Sequence, residues 1–577
     1  MNNASLELGG TNWAEKDASL LGYTVSDDSG RFFPQEFTFS RGSNLAATRI
    51  GKTGLIEKGR ENLLTHSNNF SNSDWTNSNI TLTSGQEDPF GGSNGWRYLM
   101  SGGIGNSYLY QNNKTINGSV MVLSFWVKSN TGSNQTFRAT ANSGTQSSPD
   151  FTATTSWQRF SWFFISNAGN SNILLAYNPS TSSDLLIYGA QFEQGLAASP
   201  YIPTTTTTAQ AGVLENTPRL NYTTGVADPY LLLEPIRTNQ VSNSEYYGSY
   251  ALQSASISQN ETTSPEGLQN AAELIEDSSN DNHFLRIPNL SFTSGTDVVF
   301  SIYLKENTRR YARLRFDNTG GNTRAWLDLR TGETTFIDNT DSGVCASANV
   351  GNGWFRYEFK VTPTNTGTGS VQVFTQSVES VTGSLQTVYQ GDGTSGIYVW
   401  GAQVETGGYP TSYIPTYSVS ATRAKDVCIK TDASDLIGQE QGTIVFDFKR
   451  TFKNDSYTRY LAVDDNDSSK YRTGIFILPE PANDGRLYIA LRNNSTSVFE
   501  HTYNDTTNER LKIAVAYSSG DIDFFVNGVK VNSSTTTFSF SHTLQRVMMD
   551  GSNQENNQIL VFKTKLTDAE LATLTTI

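Results

Sequence analysis

The sequence predicts an all-β chain organised as tandem antiparallel β-sandwiches, and three observations predict it. Gly alone contributes 48 of 577 residues, and the chain is rich in Ser, Thr and Asn, residues that fill turns and short strands and break helices. Aromatics number 31 Phe, 26 Tyr and 9 Trp against a hydrophobic content of only 36%, so aromatic rings build much of a packed core and the chain is not a disordered polar one. The third observation is an internal repeat. Asn62-Leu-Leu-Thr-His-Ser67 and Asn239-Gln-Val-Ser-Asn-Ser244 stand 177 positions apart, as do Val122-Leu-Ser-Phe-Trp-Val-Lys-Ser-Asn130 and Val299-Phe-Ser-Ile-Tyr-Leu-Lys-Glu-Asn307.

The repeat orders the elements. Residues 1–59 form an N-terminal connector segment. Residues 60–204 form the first sandwich; Val120-Met-Val-Leu-Ser-Phe-Trp-Val127 is too short for a typical helix and β-branched enough for its central strand. Residues 205–236 are an extended connector stiffened by Pro218, Pro229 and Pro235. Residues 237–416 form the second sandwich. There Trp157-Gln-Arg-Phe-Ser-Trp162 matches Trp354-Phe-Arg-Tyr-Glu-Phe359 at offset 197, and Gly189-Ala-Gln-Phe-Glu193 through Tyr201-Ile-Pro-Thr204 matches Gly401-Ala-Gln-Val-Glu405 through Tyr413-Ile-Pro-Thr416 at offset 212. The growing offset places extra loop residues in the second copy.

Residues 417–425 are a linker, and residues 426–577 a third β unit without Trp. Gln441–Phe448, Gly485–Leu491 and Leu511–Tyr517 read as strands, Val526-Asn-Gly-Val529 as a type I′ hairpin, and Leu566–Leu574 as a helix capped by Thr567 with Leu571 and Leu574 facing inward.

Composition excludes several function classes. With 41 basic and 55 acidic residues the net charge is −14, and only 17% of positions are charged, so neither a nucleic-acid footprint nor a polybasic membrane patch is present. Two cysteines, Cys345 and Cys428, give no disulfide framework and no zinc spacing. The opening residues lack a basic segment followed by an apolar one, and no long apolar run occurs, so the expectation is a soluble chain without membrane insertion and without an ordinary export signal.

The ordered set Leu55-Ile-Glu, Asn62-Leu-Leu, Leu231-Leu-Leu-Glu-Pro-Ile-Arg-Thr-Asn239, Gly401-Ala-Gln-Val-Glu405, Tyr413-Ile-Pro-Thr416 and Ala421-Thr-Arg423 resembles the carbohydrate-binding-module-like repeats of tailed-bacteriophage structural proteins over about residues 40–425. The last unit resembles a concanavalin A or laminin G type lectin sandwich. The resemblance implies two jelly-roll modules and a lectin-like tip. It implies a non-enzymatic head or tail fibre on the virion surface, assembled in a bacterial cytoplasm and homo-oligomeric, most simply trimeric. Such a fibre would bind other virion proteins through its N-terminal segment and adhere to host-surface or environmental glycans. The alternatives are a glycan-degrading tailspike or secreted glycosidase with accessory modules, and a purely structural spacer.

The residues offer few sites. Gly91-Gly-Ser-Asn-Gly95 fits the nucleophile-elbow pattern but lies in a polar loop after Pro89, and the four His are in no paired motif. Gly51-Lys-Thr53 has Ala46 where a phosphate loop needs Gly. Asp464, Asp465 and Asp467 are the one group with oxygen ligands for Ca²⁺; otherwise no cofactor is expected. Sugar binding needs an aromatic face beside amides or carboxylates. Trp126, Trp157, Trp354 and Trp400 recur in strand-like runs and read as core, which leaves Trp96, Tyr98, Tyr246 and Tyr247 as the ligand candidates.

Overall fold

The computed structural model describes residues 4–577 apart from 12, 17–18, 26–31, 44, 101–106, 113–117, 167–172, 178–182, 224–225, 318–322, 339–340, 379–387, 451–458, 468–471, 481–485, 505–509 and 552. Among the described residues the only α-helix is Asp568–Thr575, and almost everything else regular is strand. The helix begins with the capping box that its sequence announces, Thr567 accepting from the Glu570 amide while the Glu570 side chain takes the Thr567 amide.

The two repeats have matching sheets. In the first, a five-stranded sheet runs in the order Gln158–Ile165, Val120–Ser129, Asp184–Gln194, Gly95–Met100, Ile80–Gln86. In the second, Trp354–Val361, Val298–Glu306, Gly396–Thr406, Gln269–Glu276 and Ala255–Thr263 follow the same order, with Val344–Gly351 added outside the first of them. That added strand uses residues which the second copy has in excess. Each sheet faces a second antiparallel one across a single core. Leu123, Phe125 and Val127 meet Leu109, Phe137 and Ala139 in the first repeat, and Phe300, Ile302 and Leu304 meet Leu314, Phe316 and Val371 in the second.

The largest unit is a closed barrel drawn from three separate stretches of chain. Residues 427–562 supply most of it, but Leu6–Gly9, Ala14–Lys16, Ser19–Val25 and Phe32–Ser40 from the N-terminal segment, and Leu220–Asn221 and Tyr230–Leu233 from the connector, are strands of the same sheet. Leu6 pairs with Val561, Leu231 with Asn556 and Phe39 with Cys428. The cause is period-two alternation. Leu6 and Leu8, Leu20, Phe37 and Phe39, and Leu231 and Leu233 all point into one barrel core and are essentially inaccessible.

Tandem jelly-roll sandwiches ending in a self-contained lectin-like sandwich are therefore not the architecture. The fold is all-β, with one barrel that the two ends of the chain and its middle connector close together, plus several smaller antiparallel sheets. Leu6, Leu8, Leu20, Phe37 and Phe39 of the N-terminal segment are committed to the barrel interior.

Candidate functional site

The repeated sequence signature makes the same scaffold twice. Asn62 Nδ2 donates to the Ala190 and Ile202 carbonyls at 3.2 and 2.9 Å while its Oδ1 accepts from Leu64 and Phe192. Asn239 does the same with Ala402, Ile414, Val241 and Val404. Gln191 and Gln403 are buried, bonded to Glu193 and Glu405 at 2.6 and 2.7 Å, and receive the amides of Ile202 and Ile414. The Gly-Ala-Gln element thus satisfies buried backbone where a return loop crosses the outer face of the sheet. Gly189 and Gly401 hold φ of +56° and +64°, and a Cβ at either would strike Tyr201 or Tyr303.

In the second repeat that outer face forms one wall of a cleft of about 420 Å³. Tyr303, Ala348, Arg356 and Glu358 come from the sheet, residues 409–413 from the return loop, Thr48, Arg49, Ile50 and Ile56 from the hairpin after the N-terminal strands, and Tyr230, Glu234, Asn553 and Glu555 from the barrel side. Arg356 is fixed by Ser301 Oγ at 3.0 Å and the Thr411 carbonyl at 2.6 Å, and its guanidinium lies 5.7 Å from the Tyr303 ring centre. Arg237 stacks over Tyr409 at 5.0 Å. Asn221 receives the Ile50 amide at 2.6 Å and donates to Tyr230 Oη at 2.6 Å, which ties the hairpin to the barrel wall.

The cleft is closed at its base by a buried charge cluster. Glu234 accepts from Arg219 at 2.5 Å, from Arg423 at 2.9 Å and from both donors of Ser412 at 2.7 and 2.6 Å. Asp426 pairs with Arg41 at 3.3 Å and with Arg219. Burial opposes a charge on Glu234, but Arg423 and Arg219 overcome it and hold the carboxyl far below the usual range. Burial also lowers the Arg41 guanidinium, to about 10.

Two other carboxyls in the cleft shift the opposite way. Glu358 is raised by burial, with Arg356 at 3.8 Å opposing and Glu405 adding to the rise. Glu555 is raised by burial against the pull of Lys449 at 3.6 Å. Among the described residues one further carboxyl, Glu273, is held above its ordinary value; the other two face one cleft from different walls. Such a site combines tyrosine rings, amides and guanidinium donors with two carboxyls that burial holds above their ordinary value.

The sequence candidates lie elsewhere. Tyr98 and Tyr247 are fully buried, their hydroxyls spent on the Leu175 and Ser244 carbonyls. Trp96 is half-buried, its indole donating to the Asn68 carbonyl at 2.8 Å, and Tyr246 is half-buried, its phenol raised by burial. Asp464 gives both oxygens to Arg546 at 2.6 Å, and Asp467 meets Arg472 at 2.5 Å. No group of three or more His, Cys, Asp or Glu able to hold a metal occurs among the described residues. Trp354 and Trp400 are core, as their recurrence predicts, whereas Trp126 is half-buried on the outer face. Glu358 was legible only as a departure between copies, since Ser161 stands at its place in the first repeat.

No family model and no curated protein matches the chain. It is similar to the CBM40 module of the Ruminococcus gnavus IT-sialidase bound to α2,3-sialyllactose, at 20% identity over 26% of this chain and 91% of that one, with a TM-score of 0.22. It is similar to the tandem CBM22 domains of Paenibacillus barcinonensis Xyn10C at 11% identity over 64% and 100%, and to the Trypanosoma rangeli sialidase at 9% over 98% and 98%, each with a TM-score of 0.22. A TM-score this low transfers no activity. Those solved structures are carbohydrate-binding modules and a sialidase. No family model or curated protein supports the bacteriophage-fibre resemblance or its exclusion of catalysis, and both are dropped. No helix among the described residues is long and apolar enough to cross a membrane.

Proposed function

We propose that the chain is a glycan-active protein whose cleft between the second repeat and the barrel binds a saccharide and hydrolyses a glycosidic bond. The observation that carries this reading is the pair of carboxyls, Glu358 and Glu555, both raised by burial and both facing a cleft lined by Tyr230, Tyr303, Tyr409 and Tyr413. Glycoside hydrolysis needs one carboxyl that delivers a proton and a second that handles water or the anomeric carbon.

Glu358, raised by burial with Arg356 opposing the rise and Glu405 adding to it, is assigned as the proton donor. Glu555, with Lys449 favouring its charge, is the base. The Glu358 proton passes to the leaving oxygen as the anomeric C–O bond breaks, water supplies the new hydroxyl, and the water's second proton goes to Glu555. Tyr230, the half-buried ring of the cleft, meets the apolar face of the sugar, and Arg49 stands among its hydroxyls. A glycan substrate suits a protein that works at or beyond a cell surface.

The test is reducing-end release from cello-, xylo-, malto- and arabino-oligosaccharides and from sialyl- and galacturonosyl-oligosaccharides. Glu358→Gln is expected to lose turnover by at least about 100-fold. Release that is absent from every substrate, or equal in the variant, would overturn the proposal.

A further inference from the structure

The cleft wall has a counterpart in the first repeat. Trp126, Tyr188 and Tyr201 stand where the second repeat has Tyr303, Trp400 and Tyr413, and Arg159 stands where it has Arg356. The geometry is shared. Arg159 bonds Ser124 Oγ at 2.9 Å and the Ser199 carbonyl at 2.5 Å, and lies 4.5 Å from the centre of the Trp126 ring.

Exposure differs. In the second repeat Ile50 and Ile56 of the hairpin pack with the rings, and Tyr303, Trp400 and Tyr413 are buried. In the first repeat Trp126, Tyr188 and Tyr201 are only half-buried, and Phe90 joins them while 71% exposed, its ring 5.8 Å from both Trp126 and Tyr188. The Phe90 loop is stiff: Asp88 accepts the amides of Phe90, Gly92 and Asn94 at 2.9, 3.0 and 3.2 Å. A rigid loop that keeps a phenyl ring in water is pre-organised for contact.

Charge points to the occupant. Arg159 has no acidic partner within ion-pair distance among the described residues, whereas Arg356 has Glu358 at 3.8 Å. At the rim, Lys128 pairs with Glu87. Aromatic rings beside a guanidinium with no carboxylate at ion-pair distance, and a charged rim, match the CH faces and oxygens of a sugar better than an aliphatic segment.

We propose that the face formed by Phe90, Trp126, Tyr188, Tyr201 and Arg159 is a second saccharide site that binds without hydrolysing, since Ser161 stands where the cleft has Glu358. The inference rests on the cleft being a saccharide site and adds a binding subsite for the same polymer, with avidity from two linked contacts.

The test is calorimetry of the full chain carrying Glu358→Gln with maltohexaose, cellohexaose, xylohexaose and hexagalacturonate. Two binding events are expected, one weakened roughly tenfold or more by Phe90→Ala alone and by Phe90→Ala with Trp126→Ala, the other by Tyr409→Ala. If the face variants leave every isotherm unchanged while Tyr409→Ala weakens binding, the second site is overturned and the cleft reading stands. If wild type releases no reducing ends and Tyr409→Ala is silent, yet the face variants lose binding, the face stands and the cleft reading fails. A concentration-dependent dimer abolished by Phe90→Ala would assign the face to a second copy and overturn the proposal.

Discussion

Glu358 is where chemistry and stability conflict. Its carboxyl is raised by burial in the fold, so its stabilising contribution is complete below the unfolded-state value and is lost as pH rises through the raised folded value. Glu358→Gln removes an ionisation that burial disfavours and Arg356 only partly offsets, and is expected to melt above wild type at pH 7. The gain should vanish by pH 4, as scanning calorimetry across pH would read it. A second residue-level expectation concerns Gly401, whose φ of +64° and 2.8 Å clearance to the Tyr303 ring leave no room for a Cβ. Gly401→Ala should cost about 1–3 kcal/mol in urea unfolding. Both residues were visible in the sequence, Gly401 as a repeated glycine and Glu358 as a replacement inside a repeated element. Only the structure shows that the second matters, because burial and the facing Glu555 come from distant segments.

Elements were more legible than sites. The strands of the repeats, the Asn527-Gly528 turn with φ of 48° and 84°, and the capped C-terminal helix follow from local pattern and turn chemistry. The connectors were not, because proline-bearing stretches with short apolar runs look extended whether they are free or paired. Leu231 and Leu233 are strand residues in the barrel core, and Glu234 just beyond them anchors the charge cluster. Removing one partner from a buried cluster strands the others. Glu234→Ala is therefore expected to lose about 3–5 kcal/mol and to open the chain to protease around residues 205–236; Glu234→Gln, which keeps one acceptor, should lose less.

At the scale of the whole molecule the barrel unites sequence ends that composition and spacing treated as independent. Period-two alternation at Leu6 and Leu8 and at Phe37 and Phe39 was present in the sequence, but pairing partners more than 380 positions away carry no local signal. A fragment of residues 426–577 alone lacks the strands that cover Cys428 and Val561. It is expected to show no cooperative thermal transition by circular dichroism, whereas the intact chain does; a cooperative transition in the fragment would make the barrel closure dispensable. Closure also brings Glu555 of the barrel into the cleft that Glu358 of the second repeat lines. The most direct measurement of that arrangement is a crystal structure of the full chain with Glu358→Gln, soaked with an oligosaccharide that the wild type cleaves. Sugar density in the cleft, with a glycosidic oxygen beside residue 358 and Glu555 on the opposite face of the ring, is the predicted result; a saccharide seated elsewhere with the cleft closed would contradict it.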